Sequence, residues 1–295
     1  MEAGPSLSVI IASYNARDTI RQCLQSLAVQ TMQELIEVIV VDSSNDGTGD
    51  LVAGEFPWVR LVRVPHRMYC GDARNTGLAN ARGQIVALMD ADCTARRNWA
   101  EEILQAHETI SAPAIGGAIA NGNPQSYVGW AAYFSEFSDW MPGKAAGFRR
   151  DIAGAGMSYK KEVFDRFGTF IRETYCSDTE FHWRLAREGI QLHFEPAIQV
   201  FHRNIPSLGR FLRHEFQHGS FFAQVRAAYF RFKRIRRLAY ALLFPLIAVK
   251  LAMRVCTRGI TNLRYRKFFI LSLPLTLLGI FFWSAGEARG YCRRS

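Results

Sequence analysis

Acidic residues almost vanish from the last third of this chain: residues 203–295 contain two, against 18 Lys and Arg, whereas residues 1–202 contain 24 acids and 18 bases. The chain also lacks any Cys-x-x-Cys pair. Its six cysteines (Cys23, Cys70, Cys93, Cys176, Cys256, Cys292) are scattered with neither the spacing of a structural zinc site nor that of a disulfide scaffold, which fits a reducing compartment. No G-x-G-x-x-G follows the first strand-like run, which disfavours a dinucleotide-dependent dehydrogenase. The first residues carry neither a basic segment nor a long apolar stretch of the kind that directs export, so the N-terminal part is expected to stay in the cytosol. No internal repeat is present.

What remains is a globular composition with an electrical asymmetry. Nearly half of the residues, 49%, are hydrophobic and 21% are charged, which excludes wholesale disorder. The net charge of +10 divides into about −6 before residue 203 and +16 after it. A mildly acidic domain followed by a basic tail asks for an anionic surface, and the hydrophobicity of the tail favours phospholipid over nucleic acid.

Short β-branched runs alternate with helical stretches through the first half. Strands are expected at Leu7–Ala12, Ile36–Val41, Val59–Val64 and Ile85–Met89, with helices over 17–30, 47–55, 71–82 and 98–109 between and after them. This is the pattern of βαβ units and of a mostly parallel α/β sheet covered on both faces. Ligands bind such sheets beyond the carboxyl ends of the strands. Residues 112–156, rich in Gly, Pro and aromatics, read as a substrate-covering loop. Order then returns with a helix over 178–189 and strands at 192–194 and 200–202.

The strand ends carry chemistry. Asp90-Ala91-Asp92 follows Met89, and two carboxylates one residue apart can hold a hard divalent cation while leaving positions open for phosphate oxygens. Asp42 ends a second strand, where it can accept hydrogens from a nucleobase. Arg74 lies in a helix that opens at Gly71, where backbone N–H groups and a guanidinium can meet a diphosphate. Together these groups describe a nucleoside diphosphate site with a metal.

With those residues in place, the sequence resembles the family 2 glycosyltransferases of the GT-A fold. The likeness runs through Ser8–Asn15, Val40–Thr48, Ala73–Gly83 and Leu88–Asp92, then through Ser158–Gly168, Ser177–Leu185 and Val200–His202. The resemblance implies a Rossmann-like unit binding a UDP- or GDP-sugar with Mg2+ or Mn2+. Ser13, Asn15, Asp42, Arg74 and Asp90 would bind the donor, Asp90, Asp92 and His202 would lie at the metal, and Asp178 would be the general base of an inverting transfer. In the family the base usually closes a Glu-Asp pair; here Ser177 precedes it. That departure keeps open a second reading, a catalytically impaired nucleotide-sugar-binding or assembly protein. The Gln-x-x-Arg-Trp motif of processive members is absent, which favours single transfer. Trp140, Lys144, Arg149 and Arg150 are candidates for the acceptor lid.

Residues 1–206 are thus expected to form the catalytic domain. Residues 207–237 would form an amphipathic interfacial helix and basic linker, with Leu208, Phe211, Leu212, Phe216, Phe222, Val225 and Tyr229 on its apolar face. Residues 238–295 would form a membrane hairpin from the apolar runs Leu238–Val249 and Phe268–Gly286. Only the second run has the length of a bilayer span. Basic clusters on both sides of the first run conflict with two full crossings under the positive-inside rule, so one of the two runs is expected to be re-entrant or interfacial, and the sequence does not decide which. The expected setting is the inner (plasma) membrane with the catalytic domain cytoplasmic, a lipid-linked or glycan acceptor, and phospholipid but no nucleic acid as partner.

Overall fold

In the computed structural model, which describes residues 4–293, the chain divides into two compact units. One runs up to Ala120 and resumes at Lys144–His202; the other comprises Asn121–Gly143 and the chain from Arg203 onward.

The first unit opens with the expected alternation: β1 (Leu7–Ser13), α1 (Ile20–Ala28), β2 (Ile36–Asp42), α2 (Thr48–Glu55), β3 (Arg60–Arg63), α3 (Cys70–Asn80), β4 (Ile85–Asp90), β5 (Cys93–Ala95) and α4 (Trp99–Thr109). β1 is buried along almost its whole length, as a strand covered on both faces must be. α1 covers the sheet with Ile20, Cys23, Leu24 and Leu27, one stripe of a 3.6-residue period. β6 (Ala114–Asn121) follows; α5 (Tyr127–Phe137) belongs to the second unit; then come β7 (Gly147–Arg149), β8 (Met157–Lys160), α6 (Glu162–Phe167), α7 (Ser177–Arg187) and β9 (Leu192–His202).

The sheet has the order β3-β2-β1-β4-β8-β6-β9-β5, with β7 on β9. β1 to β4 pair in parallel, and β8 joins β4 antiparallel. The α/β reading from sequence is borne out, and the parallel half stops at β4. The order 3-2-1-4 places the reversal of winding between β1 and β4, so the crevice lies beyond their carboxyl ends. β9 is one continuous strand where two were expected, since its alternating burial conceals the middle residues from a search for apolar runs.

The supposed loop over 112–156 is largely ordered. β6 is buried at every position, and its Gly116 and Gly117 leave no room for a side chain against Met157 and Ile198. α5 starts at Ser126, whose Oγ accepts the Gly129 N–H at 2.9 Å. Its buried residues surround the helix, so no amphipathic period betrays it in the sequence.

His107 sits beneath this sheet, 5% exposed, with Nε2 2.9 Å from Ser158 Oγ. Ser158 donates its own proton to the Ile115 carbonyl, so the imidazole is the Nε2–H donor, and Nδ1 is buried without a partner among the described residues. Burial, aided by Lys160, depresses its pKa from 6.5 to about 4. The unfolded chain therefore binds a proton that the folded chain refuses. Stability present above pH 6.5 is expected to fall as pH drops through that window, by about 3 kcal/mol at pH 4. Urea unfolding at several pH values should show this slope, and His107→Gln should flatten it.

The second unit contains α5, α8 (Leu208–Tyr229), α9 (Arg234–Leu242), α10 (Phe244–Thr261) and α11 (Arg266–Cys292). α8 differs in part from the expected surface helix: Phe211 and Val225 of the expected face are buried, but the other buried residues are Glu215, Gly219, Ser220, Ala223 and Ala227. A Cβ at Gly286 would collide with the Phe216 carbonyl and one at Gly219 with the Trp283 carbonyl, so glycines let α8 and α11 approach backbone to backbone. Small residues carry little hydrophobic signal, which is why the sequence pattern missed them. Trp130 of α5 stacks on Phe268 of α11 with centroids 4.4 Å apart.

Among the described residues, α11 is the one unbroken helix long and apolar enough to cross a bilayer. The Leu238–Val249 run is split between α9 and α10, which bend by 62° at Leu243. Pro245, in the first turn of α10, supplies no N–H to continue the preceding helix. Ile235, Leu242, Leu246 and Leu263 are each at least 66% exposed, an apolar surface of the kind that water disfavours.

Candidate active site

Three adjacent parallel strands deliver the donor-side candidates to one edge. Ser13 lies opposite Asp42, and Ala12 lies opposite Asp90, so β1, β2 and β4 end together. Ser13 and Asp42 are both buried, and Asp42 Oδ1 accepts from Ser44 Oγ at 2.6 Å. Asn15 has a left-handed backbone, φ 51°, a conformation asparagine tolerates better than most residues. Its N–H donates to Ser44 Oγ and its Oδ1 accepts the Asn45 N–H, which braces the two strand-end loops together. Ser13 Oγ is buried without a hydrogen-bond partner among the described residues. At the rim, the Arg67 guanidinium lies 4.7 Å from the centre of the exposed Tyr14 ring and donates to Tyr175 Oη.

Arg74 of α3 joins the middle of the site. Its side chain is 6% exposed, with Nη2 3.0 Å from Asp90 Oδ1 and Nη1 4.0 Å from Asp178 Oδ2. Burial works against its charge, but the two carboxylates outweigh burial and keep it protonated. Asp178, in the first turn of α7, is the converse. Burial pushes its carboxyl up, while Arg74, His182 and the N–H groups of Thr179 and Gly154 hold it below the usual carboxylate range overall.

Apart from Arg74, sequence reasoning did not select the residues that surround Asp178. The Gly154 N–H donates to Asp178 Oδ2 at 2.9 Å, and a Cβ on Gly154 would lie 2.5 Å from that oxygen and 2.9 Å from Arg74 Nη1. Behind it, Asp151 Oδ1 meets His182 Nδ1 at 2.7 Å, and His182 Nε2 meets Tyr159 Oη at 2.8 Å. Only His182 left a trace in the sequence, being four residues beyond Asp178 on the same helix face. Ser177 is 1% exposed, and a Cβ on Gly71 would come within 2.8 Å of it, so the position before Asp178 is a tight α3–α7 contact.

The two carboxylates of the Asp-x-Asp pair have different neighbours. Asp90 turns to Arg74, whereas Asp92 Oδ1 lies 3.4 Å from His202 Nε2. Among the described residues, one group has the makings of a cation site: Asp92, Cys93 and His202, with ligand atoms all within 4.8 Å of one another. The Asp92 carboxylate suits a hard divalent cation such as Mg2+ or Mn2+, and the His202 imidazole a softer one. Arg149 spends its donors on the Phe148 and Ala145 carbonyls and lies over Phe194; Arg150 is exposed; Lys144 is partly buried; Trp140 belongs to the other unit.

Residues 8–168 match the family described as Glycosyl transferase family 2. The chain belongs to that family. It is 25% identical over 222 residues to glycosyltransferase AglE of Haloferax volcanii, covering 73% of this chain and 72% of AglE. It is 34% identical over 120 residues to the succinoglycan biosynthesis protein ExoO of Rhizobium meliloti, covering 40% of this chain but 33% of ExoO. Among solved structures, the mannosyltransferase PcManGT of Pyrobaculum calidifontis, in complex with GDP-Man and Mn2+, superimposes with a TM-score of 0.61. At 20% identity over 94% of this chain and 86% of that one, the likeness is one of fold. This glycosyltransferase thus combines a GT-A-like α/β sheet with a C-terminal helix apolar enough to span a membrane.

Proposed function

We propose that the protein is a metal-dependent, inverting glycosyltransferase that moves a single sugar from a UDP- or GDP-sugar to an acceptor hydroxyl. The observation that carries the reading is the buried Arg74, which ties the Asp-x-Asp strand end to the Asp178 carboxylate and so links a donor-side with an acceptor-side group. Asp42, Ser13 and Asn15 bind the nucleoside, and Ser13 Oγ, buried without a partner among the described residues, is available to a ligand. Asp92 and His202 hold Mg2+ or Mn2+, which when bound offsets charge on the diphosphate.

Asp178 takes the proton from the acceptor hydroxyl as that oxygen attacks the anomeric carbon from the face opposite the nucleotide. Its depressed pKa keeps it an acceptor throughout the neutral range. The impaired-enzyme reading rests on Ser177, but the contacts that orient Asp178 come from Gly154 and Arg74 and do not require a carboxylate at 177. The GDP-Man and Mn2+ carried by the mannosyltransferase of similar fold make GDP-mannose and Mn2+ the first pair to try.

The apolar α11 and the Arg231–Arg237 cluster support attachment to the inner membrane with the catalytic unit on the cytosolic side, next to a lipid-linked or glycan acceptor. Thermal-shift titration of the full chain with UDP- and GDP-sugars tests the donor reading. One class should stabilise the protein, more strongly with Mn2+ than without, and Asp92→Ala should abolish the Mn2+ increment. A panel without effect, or an increment unchanged in Asp92→Ala, sinks the reading.

A further inference from the structure

β5 and β9 run antiparallel with Cys93 directly opposite His202. Directly opposed residues project from the same face of a sheet. Asp92 precedes Cys93, and the ligand atoms of all three lie within 4.8 Å of one another. A thiol therefore stands beside the carboxylate and imidazole at which the activating cation is proposed to bind. Cys93 is fully buried, while Asp92 is 39% and His202 13% exposed in their side chains, so the thiol forms the floor of a site open on the Asp92 side.

We propose that Asp92, Cys93 and His202 form a binding site for a borderline-soft divalent cation, Zn2+ by preference. The proposal shares Asp92 and His202 with the donor-metal reading but does not require that Mn2+ activates. Thiolate and imidazole select Zn2+ over Mg2+ and Mn2+, which prefer oxygen ligands. The spacing agrees: oxygen and nitrogen ligands at about 2.0–2.1 Å from a tetrahedral zinc lie about 3.4 Å apart, and Asp92 Oδ1 lies 3.4 Å from His202 Nε2. On binding, the Cys93 S–H bond gives way to an S–Zn bond and the proton passes to solvent. Three protein ligands leave a four-coordinate ion one open position, too few to take a diphosphate as an octahedral ion does. Cys23, the other buried thiol nearby, points elsewhere, with Sγ 3.7 Å from Met89 Sδ and 3.8 Å from the Asp90 carbonyl.

Cobalt reports on this site directly. Co2+ titrated into the purified full-length protein in detergent should produce the near-ultraviolet charge-transfer band of a cobalt thiolate, with the intense visible bands of a tetrahedral ion. Zn2+ should erase both. The thiolate band should vanish in Cys93→Ser and Cys93→Ala and persist in Cys23→Ala, and Zn2+ affinity should fall at least tenfold in the Cys93 variants. Absence of Co2+ binding, binding without a thiolate band, or a band that survives in folded Cys93 variants overturns the proposal. Should both Cys93 variants fail to fold, His202→Asn replaces them, with a Co2+ affinity at least tenfold weaker expected and an unchanged one overturning the site. Electron paramagnetic resonance of added Mn2+, with and without nucleotide sugar, tests the donor-metal reading separately, so either can fail alone.

Discussion

Asp178→Asn is expected to lower turnover by about 10²–10⁴, the range a positioned general base contributes, while leaving donor binding within a few-fold of wild type. The substitution keeps size and shape. An amide oxygen can still accept the Gly154 N–H, and Arg74 retains its closer partner, Asp90, at 3.0 Å. What disappears is the capacity to take a proton from the acceptor hydroxyl. Turnover is read as nucleotide released from the stabilising donor in the presence of acceptor, and donor affinity by calorimetry. Turnover within a few-fold of wild type excludes Asp178 as the base; equal losses of turnover and donor affinity would make it a binding residue.

Arg74→Met should cost about 3 kcal/mol of stability, the low end for removing one partner of a buried ion pair, because Asp90 and Asp178 keep 30% and 22% of their side-chain surface in solvent. It should also change the pH dependence. In the wild type, Asp178 is depressed, so the stabilisation from its ionised form is present above the unfolded-state value and is lost as pH falls through the lower folded value. Without Arg74, burial is the largest influence left on that carboxyl, and burial raises it. The acid limb of kcat/KM should therefore move to higher pH. Arg74→Lys keeps a positive charge and should return the limb most of the way without restoring the two-sided geometry. Denaturant unfolding and kcat/KM profiles measure the two effects, and an unmoved acid limb in a folded Arg74→Met would remove Arg74 from any role in setting Asp178.

Local chemistry in the sequence was enough to find the α/β alternation, because β1, β2 and β4 are nearly continuous apolar runs and α1 repeats every three to four residues. It was enough for the strand-end residues too, since a parallel sheet presents its carboxyl ends together and Ser13, Asp42 and Asp90 terminate their strands. The apolar span of α11 was legible for the same reason: nineteen consecutive residues without a formal charge have few other uses in water.

Pairings between distant segments were not legible. α5 is apolar all round and shows no period, and the close approach of α8 to α11 depends on Gly219 and Gly286, which hydropathy scores as nearly neutral. The Asp-x-Asp spacing brought Asp90 and Asp92 to one strand end, and the fold adds what spacing does not carry, Arg74 beside Asp90 and His202 beside Asp92. The sequence by itself determined which residue types stand at the strand ends, because propensity and hydrophobic period act over a few residues. Which distant partners meet (Gly154 with Asp178, His182 with Asp151, Cys93 across from His202) was decided only by tertiary structure, because antiparallel register and helix packing join segments dozens of residues apart and no local rule encodes that distance.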